Sequence, residues 1–84
     1  MPEEKVGVVT HYFGHIQVAA IMLEAELKVG DTVRVKGHTS DFTQPIESMQ
    51  LEHESVEVGK AGQEIAVKVV EHAREHDEVF KVTE

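Results

Sequence analysis

Two stretches decide the fold of this chain: Ala25–Gly37 (AELKVGDTVRVKG) and Thr43–Val67 (TQPIESMQLEHESVEVGKAGQEIAV). In the first, Gly30 begins a Gly-Asp turn signal, and Val33 and Val35 then alternate with polar residues. The second ends in the same way, with a glycine turn followed by an alternating strand. Alternation with a period of two, bounded by turn residues, is typical of half-buried antiparallel strands.

The same pattern extends to both ends of the chain. It predicts a first strand at Lys5–Thr10, a second at Ile16–Leu23 that is apolar on both faces, and a last strand at Glu78–Val82. Gly37–Asp41 is a polar loop, and Pro45 favours an edge position because proline cannot donate to a ladder. The sequence thus predicts an all-β fold, a small six-stranded closed antiparallel β-barrel with at most a turn or two of helix. Its predicted core includes Val6, Val8, Val33, Val35, Ile65 and Val67.

Length and composition limit the function. A chain of 84 residues is expected to form one domain, residues 1–84, and it contains no cysteine for disulfides or thiolate metal sites. The formal charge of −8 disfavours broad binding to nucleic acid or acidic membranes. Because no signal-peptide pattern or membrane-length apolar run occurs, we expect a cytoplasmic protein without a membrane partner.

The two stretches resemble domain 2 of elongation factor Tu and other translational GTPases. Leu27–Asp31 resembles the family's Leu-Lys-x-Gly-Asp, and Ser48–His53 resembles its V-x-S-I-E-M-H-H-E stretch; the resemblance covers roughly Glu4 to Val82. It implies a barrel of the translation-factor domain 2 type and a site for the acceptor end of tRNA. There Gln50 would bond a ribose hydroxyl and His53 would stack on a base. The alternative is that both side chains are only the solvent-facing residues of a strand.

A second resemblance is to the C-terminal barrel of the collagenase-like peptidase family, which is linked to RNA modification. Val6–Val9 resembles its Val-Gly-x-Val opening and Arg74–Val79 its Arg-x-x-Asp-x-Val closing. Two function classes follow. The first is a non-catalytic, translation-factor-like module that contacts tRNA, the ribosome or a translation partner. The second is a protein-interaction or accessory module that acts in trans with an RNA-modifying enzyme and does not bind nucleic acid. The residues expected to contact RNA or a partner are Gln50, His53, Arg34 and Lys36.

Catalytic and cofactor motifs are absent from the sequence. No nucleophile elbow or phosphate-binding loop occurs, so we expect no enzyme activity, no cofactor and no GTP binding. Six histidines raise the question of a metal, and His72 and His76 have the i, i+4 spacing that pairs imidazoles on a helix. We expect no metal site and keep these two as a weak alternative, since the resembling domains have a polar connection here. In their Arg-x-Gly-Asp pattern, His76 stands in the glycine position.

Overall fold

The protein is all-β. The computed structural model describes residues 3–38 and 40–83, and within these ranges it contains strands and turns but no helix, hence none that could cross a membrane. Thr39 of the predicted polar loop lies outside the described residues. The strands are β1 (Glu3–Phe13), β2 (Val18–Leu23), β3 (Leu27–Lys28), β4 (Thr32–Lys36), β5 (Asp41–Pro45), β6 (Met49–Leu51), β7 (Glu54–Val56), β8 (Val58–Gly59), β9 (Glu64–Lys68) and β10 (Glu78–Val82).

Eight of these strands form one antiparallel sheet in the order β5-β4-β10-β1-β2-β9-β6-β7, and β3 pairs with β8 in a separate ribbon. The all-β prediction is confirmed, and the last strand has the predicted limits. The closed six-stranded barrel is not confirmed, because the described chain forms ten strands and its sheet is open, with β5 and β7 at the two ends. Pro45 lies on the edge strand β5, as predicted.

A side chain joins the open edge to the rest of the sheet. Gln44 on β5 is only 5% exposed. Its amide nitrogen donates to the Lys68 carbonyl at 2.9 Å, and its amide oxygen accepts from the Val70 N–H at 2.8 Å. The primary amide thus forms the pair of bonds that a neighbouring strand would make. Gln44 links β5 to the end of β9 where the sheet has no backbone ladder.

One face of the sheet encloses the hydrophobic core. Val33, Val35, Ile65 and Val67 are all buried, as their alternation predicted. Val8 is an exception, because it is only half-buried.

The first of two bulges in β1 causes this exception. The pairing register of β1 shifts between Lys5 and Gly7 against β10, and again between Val9 and His11 against β2. An extra residue in a strand moves the following side chains to the opposite face. Val6 and Val9 therefore both point into the core and are fully buried.

The turn before β4 has the predicted geometry. Leu27 is fully buried, and Gly30 has φ 99°, a region that side chains with a Cβ rarely adopt. Asp31 closes the turn because its carboxylate accepts from the Lys28 N–H at 2.9 Å. The Ile46 N–H donates to the Asp31 carbonyl at 2.8 Å, which fixes the turn against the end of β5.

The outer face of β2 is largely uncovered. The sequence predicted burial of both faces, but only the row of Ala19, Ile21 and Leu23 is buried. On the opposite side, Met22 is 39% exposed, and Ile16, in the turn before the strand, is 62% exposed. The second apolar row is thus available for contact with another molecule.

Candidate binding groove

An open groove of about 470 Å³ lies on the outer face of β2, β9 and β6. Its floor follows from the strand register: Ala20 pairs with Ala66, and Ala66 pairs with Gln50 on the next strand. Two adjacent methyl side chains leave a depression where larger residues would fill the surface. We call this depression and its narrow extension the binding groove; the extension, about 200 Å³, shares Phe13, Gln50, His53 and Ala66 with it.

The walls are mostly apolar. Phe13, at the end of β1, is 44% exposed, and Ile16 and Val18 continue this wall into β2. His53 stands in the turn at the other side of the groove. An apolar depression with a few polar groups at its rim is the usual form of a binding site for a side chain or small ligand.

The turn that carries His53 has an unusual backbone. Leu51 pairs with Glu54, so Glu52 and His53 form a two-residue hairpin loop between β6 and β7. Their φ angles are 52° and 69°. A hairpin turn with two positive φ angles favours Asn-Gly, whereas Glu and His are strained there. Strain of this kind is concentrated at binding and catalytic sites.

The structure places two of the four predicted site residues together. Gln50 and His53 both line the binding groove. Arg34 and Lys36 lie on β4, which is separated from β6 by β10, β1, β2 and β9 in the sheet order. These two basic residues therefore lie away from Gln50 in the sheet order, and their contact with RNA or a partner stays a prediction.

Arg34 is instead engaged in a surface ion-pair network. Its guanidinium donates to Asp41 at 2.8 and 2.9 Å and to Glu3 at 3.2 Å. The hydrogen bonds from Arg34 lower the pKa of Asp41, and they raise the pKa of Arg34 in turn. Most of the bonding capacity of this guanidinium is thus used within the chain.

The two candidate metal ligands do not share a helix face. Among the described residues there is no helix, and residues 70–77 form turns and irregular backbone. The His72 ring lies 4.4 Å from the Tyr12 ring, measured between centroids. His76 has φ 76°, and its N–H donates to the Val9 carbonyl at 2.8 Å. No group of three or more metal-binding side chains occurs in residues 3–38 and 40–83. The positive φ of His76 is a conformation that glycine adopts more readily than a residue with a side chain.

The chain is similar to parts of several known proteins. No protein-family profile matches the chain. Over 81 residues, 95% of the chain, it is 35% identical to a protein named uncharacterized protease MJ0090 from Methanocaldococcus jannaschii. It is 32% identical over 78 residues to a protein named collagenase from Porphyromonas gingivalis. These matches cover 20% and 22% of the two relatives, so the chain spans about a fifth of their length.

A solved structure has the same fold as this chain. The C-terminal domain of a candidate U32 peptidase from Geobacillus thermoleovorans superimposes with a TM-score of 0.89 and 23% identity, over 95% of this chain and 93% of that one. The chain resembles the C-terminal domain of U32 peptidases. The predicted resemblance to the C-terminal domain of the collagenase-like peptidase family is thus confirmed.

These findings correct the predicted function. The translation-factor-like module, with its tRNA contact, is contradicted, because the matched relatives are named a protease and a collagenase. The resemblance to elongation factor Tu is not shown by any of the matches. A Gly-Asp turn before an alternating strand is a general signal of β structure and does not by itself indicate a function.

Sequence reasoning missed most of the binding groove. Ala20 and Ala66 are 46 positions apart (66 − 20), and only the pairing of β2 with β9 makes them neighbours. The available signal was small residues at outward positions of otherwise β-branched strands. Among the aromatic residues, Phe42 is buried and Tyr12 is half-buried against His72, whereas Phe13 lines the groove.

Proposed function

We propose that this chain is a non-catalytic, polypeptide-binding domain of a U32-peptidase-like protein, and that the binding groove receives one apolar side chain of its partner. The observation that carries the proposal is that the paired residues Ala20 and Ala66 line the extension of the groove together with Phe13 and His53. Its apolar surface suits an aliphatic side chain, and its rim supplies groups that can bond to a peptide backbone. Gln50 offers a donor and an acceptor there, and Ser48 a hydroxyl.

The relatives support a polypeptide as the ligand, since both are named for the cleavage of proteins. They also support a non-catalytic role. The chain corresponds to only about a fifth of each relative, which leaves most of the relative's length for the chemistry. The strained hairpin gives independent support, because Glu52 and His53 occupy a turn for which Asn-Gly would be more stable.

Binding of one side chain is expected to be weak. A buried Leu side chain contributes about 1.5–3 kcal/mol, and the entropy lost on association opposes it. A short peptide should therefore bind with a Kd of about 1 mM or weaker, which corresponds to a binding free energy of about −4 kcal/mol.

The test is NMR titration of the ¹⁵N-labelled chain with the neutral peptide Ac-Gln-Ser-Leu-Ser-Gln-NH2. Amide shifts should concentrate at Ala20, Gln50 and Ala66, and the same peptide with Ala in place of Leu should produce much smaller shifts. Ala66→Leu fills the groove floor and should abolish binding, whereas Ala61→Leu, in an exposed turn, should leave it unchanged. Equal shifts with the Leu and Ala peptides, or binding that survives Ala66→Leu, would refute the proposal.

A further inference from the structure

The binding groove carries opposite charges at its two ends. The outward side chains of β9 are Glu64, Ala66 and Lys68, in which alternate residues face the same side. Each charged residue is two positions from the alanine of the floor, a distance of about 7 Å along the strand. An anion and a cation thus stand on either side of the apolar floor.

Both charged side chains belong to the groove surface. Lys68 lines the wide part, beside Ile16 and Val18, and Glu64 lines the narrow part together with Glu52. In the described part of the chain, no ion pair involves any of these three charged residues.

A hydrogen bond also orients the Glu64 carboxylate at the acidic end of the groove. The Thr10 hydroxyl donates to the Glu64 carboxylate at 2.5 Å. This bond crosses the sheet from β1 and holds the carboxylate on the outer face. The carboxylate keeps acceptor capacity for a ligand, because an ionised carboxylate can accept several hydrogen bonds.

We propose that the groove recognises an extended polypeptide segment with a basic, an apolar and an acidic side chain at alternate positions. This inference rests on the proposed function and specifies its ligand. A segment lying along β9 has the same two-residue period as the strand, so its residues i, i+2 and i+4 face the groove together. The basic side chain then reaches Glu64 and Glu52, the apolar one enters over Ala66, and the acidic one reaches Lys68.

Because the whole chain is negatively charged, the acidic residue of the peptide gives the most selective test of this proposal. A formal charge of −8 attracts any basic peptide at long range. A preference for a peptide with an acidic residue at one end over an all-basic one can therefore come only from a local contact, which the structure assigns to Lys68.

Binding of peptides with one common frame tests the inference, with each affinity measured by the NMR titration described above. The peptides are Ac-Gln-Ser-Leu-Ser-Gln-NH2, Ac-Lys-Ser-Leu-Ser-Glu-NH2 and Ac-Lys-Ser-Leu-Ser-Lys-NH2. We expect the Lys/Glu peptide to bind tightest, with a gain over the neutral peptide of about two- to fivefold for each charged end. The gain should vanish in about 1 M NaCl, where the Debye length is ~3 Å.

Variants of the protein show how much of the gain in affinity comes from each end of the binding groove. Glu64→Gln keeps an acceptor for Thr10 and should reduce the benefit of the basic residue, measured as the ratio of the affinities of this variant for the Lys/Glu and the neutral peptide. Lys68→Glu should reverse the choice between the two charged peptides, in favour of Lys/Lys. Lys60→Glu, an equal charge change in an exposed turn, should not reverse it.

The outcomes separate the two proposals. If the neutral peptide does not bind in the groove, the proposed function fails. If it binds there but all three peptides bind equally, or the Lys/Lys peptide binds wild type tightest, the charge-selective recognition is wrong while the groove remains a binding site.

Discussion

Removal of the Gln44 amide should open the sheet at its unpaired edge. Gln44→Met keeps the length of the side chain but loses both bonds, to the Lys68 carbonyl at 2.9 Å and from the Val70 N–H at 2.8 Å. Each such bond contributes about 0.5–1.5 kcal/mol net, so the variant should lose about 1–3 kcal/mol of unfolding free energy. Gln44→Ala also removes buried apolar surface and should lose about 1 kcal/mol more.

The assay is urea denaturation followed by circular dichroism, with thermal unfolding as a second measurement. In a domain of this size, each 1 kcal/mol lowers Tm by about 4–8 °C. Thr43→Ala is the matched control, since Thr43 is the neighbouring residue on the same strand and is exposed. Amide exchange should locate the effect, because the Val70 N–H loses its acceptor and should exchange faster than in wild type.

One result would refute this reasoning. If Gln44→Met unfolds within about 0.5 kcal/mol of wild type and the Val70 amide stays protected, the side chain does not hold the edge of the sheet.

Three further predictions follow from particular contacts. Leu27→Ala should lose about 2–4 kcal/mol of stability by denaturant titration, because a fully buried side chain leaves a cavity; an unchanged midpoint would contradict its core position. The double change Glu52→Asn and His53→Gly should raise the free energy of unfolding, because Asn and Gly adopt positive φ angles more readily. It should also weaken binding of the Leu peptide, because it removes the His53 wall of the groove. Lower stability would show that the turn is unstrained. Asp41→Asn should lower the free energy of unfolding only at pH values where the wild-type carboxylate is ionised. Because Arg34 lowers the folded-state pKa of Asp41, the contribution of the pair is present above the ordinary Asp pKa of about 3.9 and is lost as pH falls through the folded value. The stability difference between wild type and Asp41→Asn should therefore shrink from pH 6 to about pH 2, and a difference constant with pH would exclude the ion pair.

Local pattern was sufficient for the longer alternating strands and for the Gly30 turn. Val33 and Val35 alternate with polar residues, and Gly30 precedes them at a position where the backbone has positive φ. These features depend on residues only a few positions apart, because side-chain alternation and turn conformation are properties of a short segment. They establish the all-β class. The opening and closing motifs of the chain also indicated its similarity to the C-terminal domain of U32 peptidases.

The candidate site was only partly predictable. Gln50 and His53 were identified from a resemblance whose functional content proved wrong, yet the structure places both at the binding groove. Arg34 and Lys36 were listed as candidate contact residues because they are basic. Their strand lies far from β6 in the sheet order, and charge type carries no information about strand order.

What the sequence by itself determined is therefore a set of amphipathic strands joined by glycine turns. The tertiary structure decided the rest: the β1 bulge that precedes Val9 and turns it inward, the Gln44 bridge across the open edge, and the pairing of Ala20 with Ala66 in the groove. Each depends on the register between strands that are distant in sequence. A shift of one residue in that register exchanges the two faces of a strand, so the buried and exposed rows are fixed only when the whole sheet assembles.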